Sequence, residues 1–418
     1  MKRTLFCILA AACFCAIALT AEADWLQFRG PGGSGIAPDK GVPVTWSADR
    51  NVAWKTEMPG AGASSPIVMG NKIFITCYSG YGLDISDPGE QKNLKRHLVC
   101  VDRQTGNFLW KRDIDPVLPE SAYRGLYITK HGYASSTLAC DGKNLYVFFG
   151  SAGVFAFDFD GKQLWHASVG KRTHGWGTGT SCILYKDLVI VNASVEDGSL
   201  VALDKKTGTE VWKVKGISGS WNTPVLAKVG GGTELAIGTE PGMLGIDPDT
   251  GKELWRAETY DWYVCPSLVA HDGVLYGLQH TICAAVKAGG RGDVTNSRVL
   301  WKKNFGHVVT SPLYNDGHLY WAANGAAVCV KASDGSEVYK ERLKGSDSEF
   351  YASPLLAGGK LYYVSRSDGV YVVEASPKFK LVAHNTLDDK SVFNASPAVS
   401  NSQLFLRSDR YLYCIGKK

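Results

Sequence analysis

No two cysteines are adjacent in this chain, and none are spaced as CxxC or CxxCH, so the spacing signatures of zinc ribbons, dithiol redox sites and c-type haem attachment are missing. The nine histidines show no HxxxH or HExxH pattern, which removes the helical metalloprotease signature. Past the first twenty-odd residues no run of 18 apolar residues is free of charge, and no membrane-crossing helix is expected there. Charge of one sign is lacking too: 45 Lys and Arg stand against 40 Asp and Glu, interspersed along the chain. That balance predicts no strong attraction to nucleic acid. No phosphate-cradling loop or nucleophile motif is present.

Abundant are apolar residues (45%), 47 Gly and 12 Trp, a composition able to bury a core. Lys2 and Arg3 precede an apolar run from Leu5 to Leu19, and Ala21-Glu22-Ala23 has the small-x-small form of a cleavage site. Residues 1–23 therefore read as a secretory signal peptide, with Asp24 the first mature residue and a periplasmic or secreted location. A lipobox ending at Cys13 is the rival, with Ala10 where Leu is usual. Eight cysteines follow Asp24, which in an oxidising compartment permits disulfides without requiring them.

The stretch Val201–Lys213 (VALDKKTGTEVWK) recurs as Cys100–Lys111 (CVDRQTGNFLWK) and Gly245–Arg256 (GIDPDTGKELWR). Each copy is a short apolar strand, an Asp that can bond the amides ahead of it, a Thr-Gly turn and a second strand ending in Trp. A lone hairpin is marginal in water, so repeated hairpins must stack. Upstream of each lie a small-residue strand opened by Ser-Pro or a relative and a strand rich in Leu-Tyr or Ile-Phe. Units open near Ser64, Ala134, Thr180, Trp221, Val264, Thr310 and Ala352, mostly a little over forty residues apart, with the long step from Pro66 to Thr137 filled by insertions.

An eighth unit beginning at Asn394 stops after three strands, and its missing fourth is the orphan Val52–Met58 around Trp54. Four strands per unit at this spacing predict an all-β fold, an eight-bladed propeller of four-stranded antiparallel blades over residues 24–418 in one domain. Pairing the first strand with the last three would close the ring and cover the sheet edge.

Trp54, Trp110, Trp165, Trp212, Trp255 and Trp301, with Tyr339 in unit six, hold one repeat position and are expected to pack blade against blade. Cys100, Cys329 and Cys414 align with Ala156, Ala202, Gly245 and Ala285, a position that selects for small size. Cys77 and Cys100 fall on neighbouring strands, where a cross-strand bridge is conceivable.

This pattern of small-residue strand, Asp, x-x-Thr-Gly and Trp resembles the PQQ-type propeller repeat of quinoprotein alcohol dehydrogenases and BamB-type outer-membrane assembly lipoproteins. The leader Trp25-x-x-Phe28-Arg29-Gly30-Pro31 also resembles the start of secreted PQQ-like repeat proteins. For the dehydrogenases the resemblance implies PQQ held against a Trp and an adjacent-cysteine disulfide, with calcium on a carboxylate and an amide. The adjacent cysteines are missing here.

Side chains that break the repeat carry more information, because the fold does not require them. The loops leading into the innermost strands supply His131, Tyr133, His174, Trp176, Trp221, Asn222, Asp261, Trp262, His307, Glu349 and Asn394. In a propeller these loops converge on one face around the channel. Aromatic faces beside His, amides and mixed charge suit a planar or sugar-like ligand, whereas the plainer reading is a hydrated channel mouth. No metal set is predicted among them.

Two insertions, Tyr78–His97 and Asp113–His131, belong to the same side as a lid, a docking ridge or decoration. A third, Lys287–Arg298, belongs to the opposite face, and its Arg291-Gly292-Asp293 is read as a Gly-rich turn. The glycosylation sequons at Asn192 and Asn394 are given no role.

Three functions compete. The leading one is an exported, non-catalytic, monomeric scaffold holding a protein or carbohydrate partner on the loop-bearing face. The second is a quinoprotein-like oxidoreductase using PQQ with calcium near Trp176, Trp221 or Trp262. The third is a sugar-polymer lyase or hydrolase with His131, His174 or His307 as proton carriers.

Overall fold

In a computed structural model, residues 24–306, 309–343 and 349–417 are described. The proposed signal peptide, the Cys13 lipobox and His307 lie outside them. Eight antiparallel sheets form the ring. Blade three is representative: Ile183–Tyr185, Leu188–Ala193, Ser199–Asp204 and Glu210–Lys215 run from the channel outward. Blade eight combines Ala398–Ser400, Gln403–Arg407 and Tyr411–Ile415 with Val52–Glu57 as its outermost strand. The first strand after the leader thus closes the ring.

One pairing repeats in most blades. A large aromatic on the outermost strand lies across from a small residue on the third: Trp110 from Cys100, Trp165 from Ala156, Trp212 from Ala202, Trp255 from Gly245, and Trp301 from Ala285. Trp54 faces Cys414 across the closing seam. Size selection follows directly, since a Cβ on Gly245 would sit 2.0 Å from the Trp255 ring. Within the chain-contiguous blades one through seven, a β-bulge follows this pair immediately, as between Ala202 and Leu203, and re-aims the strand. The outermost strands continue beyond the Trp, to Lys215 in blade three, rather than ending on it.

The Asp-x-x-Thr-Gly turn explains how blades recognise each other. Asp204 Oδ1 accepts bonds from the amides of Lys206 (3.0 Å) and Thr207 (2.8 Å) and from the Thr207 hydroxyl (2.8 Å). Gly208 then turns with φ 74°, a conformation that Gly adopts freely. The turn meets the Trp of the preceding blade: Trp165 Nε1 donates to Lys205 O (2.8 Å), and a Cβ on Gly208 would come within 2.6 Å of its ring. Trp54, Trp110, Trp212 and Trp301 donate likewise to Arg103, Phe159, Pro248 and Ala332 carbonyls.

Trp255 departs from this scheme. The Lys287–Arg298 insertion replaces the turn that would have met it, so Trp255 Nε1 donates to the buried Glu234 carboxylate (2.8 Å), which also holds the Gly289 amide. Gly292–Asp293 forms a fifth, parallel strand on blade four beside Trp255 and Arg256, and Arg291 pairs with Glu234 at 3.3 Å. The Arg-Gly-Asp sequence is therefore rim structure rather than a free turn. Blade seven reverses the size pair, with Val372 across from Ala383, and Trp46 from the leader fills the space, stacking on Tyr362.

A ring of hydroxyls ties the innermost strands together. Ser65 N donates to Thr137 Oγ1, and the pattern passes in turn through Ser181, Thr223, Ser267, Ser311, Ser353 and Ser396, each bond 2.9–3.1 Å long. At the seam, buried Arg407 of blade eight donates to Ser64 O (2.9 Å) and Oγ (2.6 Å) of blade one.

The bridge conceived between Cys77 and Cys100 is absent. In the ladder Cys77 lies across from His97 and Cys100 from Phe74, three rungs apart, and all eight cysteines of the described residues are free.

Candidate functional site

The leader gives the channel a floor. Trp25 exchanges backbone bonds with Val68 of blade one, Leu26 O accepts from Cys140 of blade two, and Ala37 N donates to Leu356 of blade seven. Between these anchors Arg29 donates to Pro312 O of blade six, and Phe28 lines the axial pocket. Burial lowers the Arg29 guanidinium to about 9. The pocket is about 190 Å³, walled by the hydroxyl ring, with Tyr127, His131, Trp176, Trp221, Tyr263, Tyr351 and Asn394 also lining it.

Across its mouth, the two blade-one insertions pack on each other. Tyr78, Tyr81, Leu94, Ile128 and Tyr133 form a small core of their own, and Arg96 grips Glu120 with two bonds of 2.6 and 2.7 Å, both residues buried. The short helix Ile128–His131 ends the second insertion, and Lys130 reaches Glu349 (2.7 Å). Arg366 also binds Glu349 (2.8 Å), and Asn394 Nδ2 donates to Lys130 O (2.6 Å). These contacts brace the insertion against blades seven and eight. Burial pushes the Glu349 carboxyl up, but the bonds from Lys130 and Arg366 outweigh it and hold the group below its ordinary value.

A second concavity lies over blades three and four. It is an open groove of about 820 Å³ lined by Arg172, His174, Asp197, Lys215, Glu240, Trp262 and serine and glycine backbone, among others. Trp176, Trp221 and Tyr263 line both spaces and form the wall between them: Trp176 is 4.8 Å from Trp221 and 4.4 Å from Tyr263.

The structure brings many of the sequence candidates together but gives them different tasks. Trp176 and Trp221 stand in the shared wall, while His174 and Trp262 flank the groove. His131 is a brace: Nε2 bonds Trp176 O (2.7 Å) and Nδ1 the Ser135 hydroxyl (2.5 Å), and burial lowers its pKa. Both ring nitrogens are thus engaged by groups of the protein itself, which fixes the ring between the second insertion and the Trp176 loop. Tyr133 turns away from the channel into the insertion core, its hydroxyl donating to Ser121 O (2.6 Å). Asn222 is buried and spends its amide on Ser220 Oγ and Gly238 O. Asp261 is exposed beside Trp262. Glu349 and Asn394 belong to the brace just described.

Sequence reasoning missed Phe28 and Tyr127. Phe28 arrives from a leader that carries no repeat signal, and Tyr127, whose ring lies 4.4 Å from Trp176, sits in an insertion without periodicity. Arg366, in the loop between Lys360–Val364 and Val370–Glu374, completes the brace through Glu349.

No Asp, Glu, Lys or Arg is among the described residues lining the axial pocket. The PQQ with calcium that the resemblance implies would need a carboxylate and an amide converging on the ion, since calcium takes oxygen ligands. Here Glu349 is committed to Lys130 and Arg366, and Asn394 to Lys130 and Arg366. The described residues lining the axial pocket do not fit that group.

Eight blades, six of them carrying the outer-strand Trp and three the Thr-Gly turn, with a floored channel and one loop-built face, define a propeller of PQQ-like repeats. The family model for outer membrane protein assembly factor BamB matches residues 94–261 and 290–409, and the chain belongs to that family. An outer membrane protein assembly factor BamB of Burkholderia pseudomallei is 23% identical over 398 residues, covering 87% of each chain. A quinoprotein ethanol dehydrogenase of Pseudomonas aeruginosa is 32% identical over 187 residues, which is 40% of this chain and 28% of that one. Among solved structures, the quinohemoprotein alcohol dehydrogenase of Comamonas testosteroni superposes with a TM-score of 0.65 at 11% identity, covering 95% of this chain and 81% of that one. That likeness is one of fold. No helix among the described residues is long and apolar enough to cross a membrane.

Proposed function

We propose that this chain is an exported, non-catalytic scaffold that holds a protein partner on its insertion-bearing face. The observation that carries this reading is the distribution of exposed large apolar side chains. Phe108, Leu109, Leu164, Val211, Leu300 and Leu381 are exposed on outermost strands around the rim. The others sit in loops: Leu83 and Ile85 on the first insertion and Leu118, Leu126 and Tyr127 on the second form the ridge, while Trp262 belongs to the groove and Val309 to the axial pocket. Ile85 is 62% and Leu126 72% exposed, and the insertions that present them are fixed by the buried Arg96–Glu120 pair and the Lys130–Glu349 brace. A rigid ridge of exposed apolar groups is what a protein interface requires.

Kinship with outer membrane protein assembly factors supports a partner of the cell envelope. Export rests on residues 1–23, and fractionation of cells producing the full chain tests it. The docking face is tested by placing a photo-crosslinking amino acid at position 85, 126 or, as a rim control, 164. A discrete adduct from 85 and 126, with none from 164, is expected. Equal yields at all three positions would remove the ridge as the docking face. The quinoprotein reading loses ground on the lining of the axial pocket, and titration of the purified protein with PQQ and calcium provides its direct test.

A further inference from the structure

We propose that the groove over blades three and four is a separate binding site for a neutral, hydroxyl-rich glycan chain. The argument begins with two kinds of tryptophan. Most repeat tryptophans lie flat between blades with the indole N–H donated to the next turn, so their rings are consumed by the fold. Trp262 breaks no such contact when removed, because it stands in a loop and is 56% exposed.

Its ring is nevertheless held in place. His280, itself 9% exposed, stacks behind it at 5.2 Å with planes 21° apart. Tyr263 meets it edge to face at 4.9 Å and 64°. Supported from behind and cornered on one side, Trp262 offers a pre-ordered aromatic face to solvent at little entropic cost on binding. Such a face suits the C–H surface of a sugar ring.

The rest of the groove selects against other ligands. Cationic Arg172 and Lys215 are balanced by Asp197 and Glu240, so neither a polyanion nor a polycation is favoured. Asp197 already holds Lys213 at 3.4 Å and the Ser199 hydroxyl at 3.0 Å. What remains is a mixture of donors and acceptors of both kinds, including the exposed Ser218 and the backbone of Gly216 and Gly219. Hydroxyl groups, which both donate and accept, match such a lining. The space is open and larger than the axial pocket, about 820 against 190 Å³, as an extended chain requires. An extended peptide would look for a free strand edge, and the groove is built from loops and strand ends rather than along such an edge.

This site is distinct from the ridge of Leu83, Ile85 and Leu126, so the two readings fail separately. The test is isothermal titration of residues 24–418 with cellohexaose, chitohexaose and maltohexaose in turn. Saturable binding of at least one is expected, weakened about tenfold or more by Trp262→Ala and unchanged by Leu126→Asp. Trp262 is more than half exposed, so its variant should fold, and a cooperative circular dichroism melt from a native-like spectrum verifies this. The proposal is overturned if none of the three binds, or if binding survives Trp262→Ala intact. A crosslinker at position 262 that captures the same protein as position 126, together with no sugar binding, would assign the groove to the protein partner instead.

Discussion

Replacing Trp212 by Ala tests the mechanism by which blades adhere. Trp212 is 7% exposed, donates Nε1 to Pro248 O at 3.1 Å, and covers Gly251, whose Cβ would come within 2.8 Å of the ring. Burying about 200 Å² of indole at about 25 cal/mol/Å² gives an upper value near 5 kcal/mol. Measured Trp-to-Ala losses in cores run about 3–5 kcal/mol, and that is the range expected here. Trp212→Phe keeps most of the ring but loses the N–H bond and should cost about 1–2 kcal/mol. The control is Trp262→Ala, where 56% exposure leaves less than half of that area buried and limits the loss to about 2 kcal/mol. Urea unfolding followed by circular dichroism gives the comparison, and hydrogen exchange should show blades three and four opening first, since a repeat protein unfolds from its weakest interface. Equal losses for Trp212→Ala and Trp262→Ala would refute the division between blade-packing and surface aromatics.

Other outcomes follow from the same geometry. Ser267→Ala removes the acceptor of the Thr223 amide and should destabilise by about 1–3 kcal/mol, whereas Ser267→Thr keeps the hydroxyl; chemical denaturation of both separates a lost bond from a lost volume. Burial raises the Glu196 carboxyl from its ordinary value of 4.5 to about 7. Between those pH values the unfolded chain releases the proton and the folded one keeps it, so this group makes stability fall as pH rises through the window. Glu196→Gln should therefore gain on the parent from about pH 4.5 to 7 and hold that advantage above, as read from melts at stepped pH. Arg96→Met leaves the Glu120 carboxylate buried without its partner and should cost about 3–5 kcal/mol, with faster proteolysis in residues 80–94 and 115–127. Adding Glu120→Leu should restore most of the loss, and failure to do so would mean the pair does more than neutralise itself.

The repeat was legible because each of its residues has a local reason. Asp204, Thr207 and Gly208 make their turn with bonds to near neighbours, and Trp212 faces Ala202 within a single hairpin, so spacing alone reveals both. The orphan strand around Trp54 was legible for the same reason, since a repeat lacking its last member demands one. The site was legible only as a collection of candidates. His131, Tyr133, Asn222 and Trp262 all occupy loops leading into innermost strands, yet one braces a neighbouring loop, one packs inward, one joins a buried amide network and one faces solvent. Loop sequence has no period from which such directions can be read, and the Cys77–Cys100 bridge failed for a related reason: register decides which residues face each other, and the hairpin connecting them carries an insertion.

By itself, then, the amino-acid order determined the number of blades, the residues that glue them and the strand that closes the ring, because these follow from short-range chemistry repeated with a period. Tertiary structure alone decided that Phe28 and Arg29 floor the channel, that Trp176, Trp221 and Tyr263 divide an axial pocket from an open groove, and that Lys130 meets Glu349 across the mouth. Each of those contacts joins different blades or a blade to the leader, and only the packing of the blades around the channel brings them within reach.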